Sequence, residues 1–100
     1  MKNPISNISV RNCSSLVNWC ETVKNQFIIT QQTKKGTREI FQSYSTIIAV
    51  RDENGQVWLD KNSWNYSTTT SKYRNQFLGV DTKETKKRIA SGRYKLANLN

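Results

Sequence analysis

Residues 43–78 read SYSTIIAVRDENGQVWLDKNSWNYSTTTSKYRNQFL, and the fold is decided within them. Residues 46–50 (TIIAV) are the most apolar run of the chain and lack the alternation of a half-buried strand, which argues for a strand covered on both faces or running through the middle of the sheet and predicts the central strand. Asp52-Glu53-Asn54-Gly55 supplies a reverse turn with Gly55 available for positive φ. Residues 56–60 return as a second strand, Val57 and Leu59 on one face and Trp58 on the other. Residues 61–66 form a loop presenting Trp64 and Tyr66. The hydroxyl run 67–71 (STTTS) suits an edge strand or a helix N-cap, and residues 72–78 fit a two-turn helix closed by Gly79. Tyr73 and Phe77, one turn apart, face inward with Leu78, which leaves Lys72, Arg74 and Asn75 outward.

Downstream, Asp81 and Glu84 form a capping box that opens a helix running to about Ser91, with Gly92 as its stop. Lys83, Lys86 and Lys87 fall on one side of it, within an arc of about 100° opposite Thr85 and Ile89. Residues 93–97 alternate charged and apolar and predict a final edge strand exposing Arg93 and Lys95. Upstream, residues 27–33 and 37–44 read as a hairpin whose tip, Lys34-Lys35-Gly36, is basic. Before it, Leu16, Trp19, Cys20 and Val23 recur at helical spacing after Ser14 or Ser15 and predict a helix over residues 15–25. Residues 1–12 read as a flexible arm or an edge strand. The expected architecture is a single α+β domain over residues 1–100: a small antiparallel meander of three to five strands, an N-terminal helix and two short C-terminal helices.

Composition narrows the chemistry. One hundred residues suffice for one core, and at 35% hydrophobic with 10% aromatic it should be small and aromatic-rich. The chain has no His, which excludes Ser–His and Cys–His catalysis. Cys13 and Cys20, with no third thiol or imidazole, read as reduced core residues and not as a metal site. The four glycines stand singly at turns and caps, so no phosphate-cradling loop is present. Asp52, Glu53 and Asp60 sit where turn chemistry already explains them. The expectation is a protein that is not an enzyme and uses no cofactor or metal. No apolar run is long enough to span a membrane and the amino terminus lacks a secretory pattern, so a cytoplasmic protein is expected.

The formal charge is +9, and it is uneven: residues 1–60 carry +2 and residues 61–100 carry +7. Such a field draws polyanions by counterion release. The candidate phosphate contacts are Lys72, Arg74, Lys83, Lys86, Lys87, Arg93 and Lys95, with Lys34 and Lys35 from the hairpin tip. Trp64 and Tyr66 are candidate stacking surfaces for bases. Thr69, Thr70 and Ser71, at a helix start, form a candidate anion seat.

Two motifs in this chain carry a resemblance: Ser43-Tyr44-Ser45-Thr46-Ile47-Ile48-Ala49, and the run from Tyr66 through Tyr73 followed by Phe77-Leu78. Together they are similar to a family of short uncharacterised proteins of phages and mobile elements, with the pattern SYxTxIA, a Gly turn, then YSxTTSK and FL. The chain departs from it by an extra Thr in the hydroxyl run and by Tyr73 where His is commoner. The resemblance implies no established activity; it implies a small protein acting inside a host bacterial cell. The expected partner is nucleic acid or a host nucleoprotein. The alternative is an inhibitor that binds a host defence effector, in the manner of an anti-CRISPR on an RNA-guided nuclease.

Overall fold

Three tight reversals lay down most of the sheet. The computed structural model describes residues 8–12 and 25–100, and runs β1 (Ile8–Asn12), β2 (Gln26–Thr33), β3 (Gly36–Ser43), β4 (Thr46–Arg51), β5 (Val57–Asp60), α1 (Thr68–Leu78), α2 (Thr82–Ala90) and β6 (Tyr94–Ala97). Lys34-Lys35 joins β2 to β3, with Thr33 opposite Gly36, and Tyr44-Ser45 joins β3 to β4, with Ser43 opposite Thr46. Tyr44 takes φ 54°, a left-handed conformation unusual for a residue with a Cβ, and its N–H donates to the Asn25 carbonyl at 2.6 Å. The β4–β5 reversal closes with the Gly55 N–H on the Asp52 carbonyl at 3.0 Å, Gly55 standing at φ 82°.

The expected antiparallel meander of three to five strands is corrected to a six-stranded mixed sheet in the order β1-β2-β3-β4-β5-β6. Neighbours are antiparallel from β1 to β5, but β6 runs parallel to β5, with Val57 opposite Tyr94. The reason lies in the connection. A chain leaving β5 passes through both helices before it returns, and such a crossover brings it back to the end at which β5 began. Among the described residues no helix precedes the sheet, and both helices follow β5. The N-terminal helix read over residues 15–25 lies outside the described residues except for Asn25, which stands in a turn at φ 64°. Residues 8–12, read as part of an arm or edge strand, form the edge strand β1.

Strand β4 is interior, as its apolar sequence suggests, but its missing alternation has a second cause. The register shifts between Phe41 and Gln42, which face Ala49 and Ile47 and leave Ile48 as the extra residue of a bulge. Ile48 and Ala49 therefore both reach the core at 0% exposure. Around them pack Ile28, Phe41, Val57, Leu59, Phe77, Leu78 and Tyr94, with the Phe41 and Phe77 rings 6.0 Å apart. A buried polar chain fastens α1 to the sheet. Gln26 Nε2 donates to Ser43 Oγ at 3.0 Å, and Ser43 Oγ shares a hydrogen bond with Thr70 Oγ1 at 3.1 Å. Ser43 and Thr70 belong to the two motif segments described above, so packing accounts for those positions.

The chain's last residues close the far side of β4. Asn100 Oδ1 accepts from the Ile47 N–H at 2.8 Å and its Nδ2 donates to the Ile47 carbonyl at 3.0 Å, a side chain standing in for a strand where β5 has ended. Among the described residues no helix is long and apolar enough to cross a membrane. Phe41→Ala removes a fully buried ring against which Phe77 stacks, and should destabilise the protein by about 3–5 kcal/mol in urea unfolding.

Candidate functional site

The strand order gathers cations from four separate segments at one end of the sheet. Thr33–Gly36, Arg51–Val57 and Tyr94 mark that end in successive strands, so the Lys34-Lys35 tip, the 52–55 turn and Arg93 share it. Four strand spacings separate the tip from β6, about 20 Å. A cleft of about 660 Å³ opens there, lined among others by Arg51, Arg88, Arg93, Lys95, Asn54 and Trp58. Arg93 and Lys95 are exposed, and the Lys95 ammonium lies 5.8 Å from the centre of the Trp58 ring. Arg51 and Arg88 are anchored inside the fold. Arg51 donates to Glu39 Oε1 and to the Phe77 carbonyl, each at 2.9 Å, and Arg88 to Glu84 Oε2 at 2.9 Å and Tyr94 Oη at 3.1 Å. Those bonds raise the Arg88 pKa above its usual value, the Glu84 carboxylate first. Sequence reasoning missed Arg51 and Arg88, because only the tertiary fold makes them neighbours of Arg93.

Lys34, Lys35, Lys83, Lys86, Lys87, Arg93 and Lys95 are all exposed, and among the described residues none of them forms an ion pair. Lys86 and Lys87 sit in the second half of α2, whose chain leads directly into Arg93 and β6; Lys83 is in its first turn. Lys72 is exposed on α1 with its ammonium 5.3 Å from the Tyr73 ring centre. Tyr66 is 52% exposed, and Tyr44, in the β3–β4 turn, 61%.

Arg74 requires the largest correction. Read as an outward cation, it has 0% exposure. Helix α1 begins at Thr68, earlier than the sequence suggested, because Ser67 Oγ accepts from the Thr70 N–H at 3.1 Å and caps it. Its buried residues are Thr70, Arg74, Phe77 and Leu78, a stripe at helical spacing that turns Arg74 inward. Nη1 donates to the Trp64 carbonyl at 2.6 Å and Asn65 Oδ1 at 3.1 Å, and Nη2 to Asn75 Oδ1 and Thr82 Oγ1, both at 2.7 Å. The guanidinium also lies 5.2 Å from the Trp64 ring centre, so Trp64 is half-covered and packed, not presented to a base.

The anion seat is likewise redrawn. Thr70 is 1% exposed and bonded to Ser43, hence unavailable, while Thr69 is exposed and Ser71 half-buried. Beside them lies a pocket of about 400 Å³ lined by Asn65, Tyr66, Ser67, Thr68, Ser71 and Thr82.

The carboxylates of the turns are held by hydrogen bonds from within the fold. Asp52 accepts from Trp58 Nε1 at 3.0 Å and from the N–H groups of Asn54 and Gln56 at 2.9 and 3.0 Å, and these bonds, Trp58 first, hold its pKa below the usual carboxylate value. Glu53 is lowered first by Thr33 Oγ1, which donates at 2.6 Å, and also by Arg38. Asp60 is 2% exposed. Burial pushes its pKa up, but hydrogen bonds from the Leu99 N–H, at 3.0 Å, and from Ser63, Asn100 and Asn62 outweigh it and the net direction is down.

Residues 14–92 match the family of unknown function DUF8033, and the chain belongs to that family. No curated protein and no solved structure matches it.

Arg74→Lys keeps the charge but cannot satisfy four acceptors in one plane, and should cost about 2–4 kcal/mol in chemical denaturation. A carboxylate whose folded pKa is depressed stabilises the fold above its unfolded value and loses that contribution as pH falls through the folded one. The melting temperature should therefore drop below about pH 4, and Asp60→Asn should flatten that acid limb while lowering stability at neutral pH.

Proposed function

We propose that this protein is a non-enzymatic accessory protein of a phage or mobile element that binds nucleic acid, or a nucleoprotein through its nucleic acid, inside the host cell. One observation carries the reading: Arg93 and Lys95, exposed and without ion pairs among the described residues, line one cleft with Arg51 and Arg88, at the sheet end that also bears Lys34 and Lys35. Nearby acidic groups cancel only part of this charge. Glu39 and Glu84 balance Arg51 and Arg88, Glu53 balances Arg38, and Asp52, which also lines the cleft, is an anion held by backbone N–H groups and Trp58, so Arg93, Lys95, Lys34 and Lys35 supply the excess. A phosphate backbone needs cations spread over tens of ångströms, and this end of the sheet supplies them across about 20 Å. Of the two amide side chains in the lining, Asn54 and Gln56, the latter is spent on the Val57 and Arg93 carbonyls, so binding should depend weakly on sequence. The exposed rings Tyr44 and Tyr66 stand at the opposite end of the sheet, in the β3–β4 turn and after β5, so base stacking is no part of this surface. The mobile-element context comes from the resemblance of the two motif segments.

Fluorescence anisotropy with a labelled oligonucleotide tests this. Four neutralised phosphates, one for each of Lys34, Lys35, Arg93 and Lys95, correspond to a log-log salt slope of about −3 to −4 between 50 and 200 mM salt. Arg93→Ala with Lys95→Ala should reduce that slope by about 2 and leave the melting temperature nearly unchanged. A wild-type slope near zero removes the electrostatic basis of the reading.

A further inference from the structure

Arg74 is a fully buried cation whose acceptors are all neutral: one backbone carbonyl, two side-chain amides and a hydroxyl within 3.1 Å. Among the described residues no carboxylate pairs with it, and its Nε is buried without an acceptor. Desolvation alone lowers its pKa, with no charged partner acting in the other direction. A charge in such a place is stabilised far more by an anion than by further dipoles.

The pocket of about 400 Å³ adjoins it. Three of its six lining side chains touch the guanidinium: Asn65 Oδ1 at 3.1 Å, Thr82 Oγ1 at 2.7 Å and, at the longer distance of 3.5 Å, Ser71 Oγ. The lining holds hydroxyls, one amide and the Tyr66 phenol, and no carboxylate. It also sits at the head of an eleven-residue helix. The amides of Thr68 and Thr69 have no intrahelical acceptor there, and the helix dipole adds positive potential.

We propose that this pocket binds a phosphate group, as inorganic phosphate or as the terminal monoester of a nucleic acid. The hydroxyls of Thr68 and Tyr66 and the first amides of α1 hold its oxygens; Ser71 Oγ donates to Asn65 Oδ1 at 3.0 Å and shapes the wall, and Arg74, buried behind Asn65, Ser71 and Thr82, supplies the counter-charge. The site does not depend on the cationic end of the sheet. Thr82, on its rim, opens α2, whereas Arg88 lies six residues further along, about 9 Å down the helix axis.

Thermal unfolding with inorganic phosphate, against chloride at matched ionic strength, is the first test. Phosphate should raise the melting temperature by about 4 °C or more near saturation. Ser71→Asp places a carboxylate in the pocket; it should raise the melting temperature in chloride and abolish the response to phosphate. Thr37→Asp adds the same charge at the exposed start of β3, outside the pocket lining, and should keep that response. Thr68→Val, which touches none of the Arg74 bonds, should weaken phosphate at least about fivefold. A preference of about tenfold for 5′-phosphorylated over 5′-hydroxyl oligonucleotide, lost in Ser71→Asp, assigns the phosphate to a nucleic-acid end; a response to inorganic phosphate without that preference assigns it to the free ion. The proposal is overturned if neither phosphate source is distinguished from its control, or if Ser71→Asp responds to phosphate as the wild type does. It survives a flat salt slope for nucleic acid, because a response to inorganic phosphate is read without any polymer.

Discussion

A guanidinium with no access to water ties together the part of the molecule that follows the sheet. Arg74 receives the loop after β5 through Trp64 and Asn65, its own helix through Asn75, and the head of α2 through Thr82. Isolating a charge from water is costly, and in this site four hydrogen bonds and an aromatic face offset the cost. The consequence is directional. Each acceptor must sit in the plane of the fork, so the loop, α1 and α2 are held in one arrangement, and α2 is set down where Arg88 can reach Tyr94 on β6. The cationic cleft owes its shape to that chain of constraints.

The reversals of the chain were the most legible feature of the sequence. Lys34-Lys35-Gly36 and Asn54-Gly55 mark tight turns because glycine accepts the positive φ they need, and the Asp81 and Gly79 caps set one end of each helix. Pairing direction was not legible. Residues 93–97 alternate in the same way whether they run with or against β5, and only the path through two helices decides it. Arg74 was misread because the pair Tyr73–Phe77 was used to orient α1 and charge was equated with exposure. The buried face, Thr70, Arg74 and Phe77, follows once Ser67 is taken as the cap. Its sign was present in the sequence as hydroxyl, charge and ring at helical spacing, but nothing local says what would satisfy the guanidinium.

The candidate cations divide in the same manner. Lys83, Lys86 and Lys87 could be placed on one side of α2 from periodicity alone, and they are exposed. The relation of Arg93 to Lys34 and Lys35 could not, since those lie about sixty residues away in sequence and come to the same end only through the order of strands. Arg51 and Arg88 looked like ordinary ion-pair partners, which they are; their position in the cleft is a property of the tertiary structure. Membership of a family of unknown function places the chain among relatives without adding a chemistry to it, so the chemistry rests on these placements.

The parallel join of β5 to β6 has a bearing on how the molecule assembles. Hairpins from β2 to β5 close over a few residues each, whereas β6 pairs with a strand thirty-seven positions earlier, across both helices. Loop-closure entropy and contact order make such an edge the last to dock during synthesis and the first to peel away. Arg93 and Lys95 ride on that edge, so the electrostatic surface of this protein is completed only when its slowest-forming seam has closed.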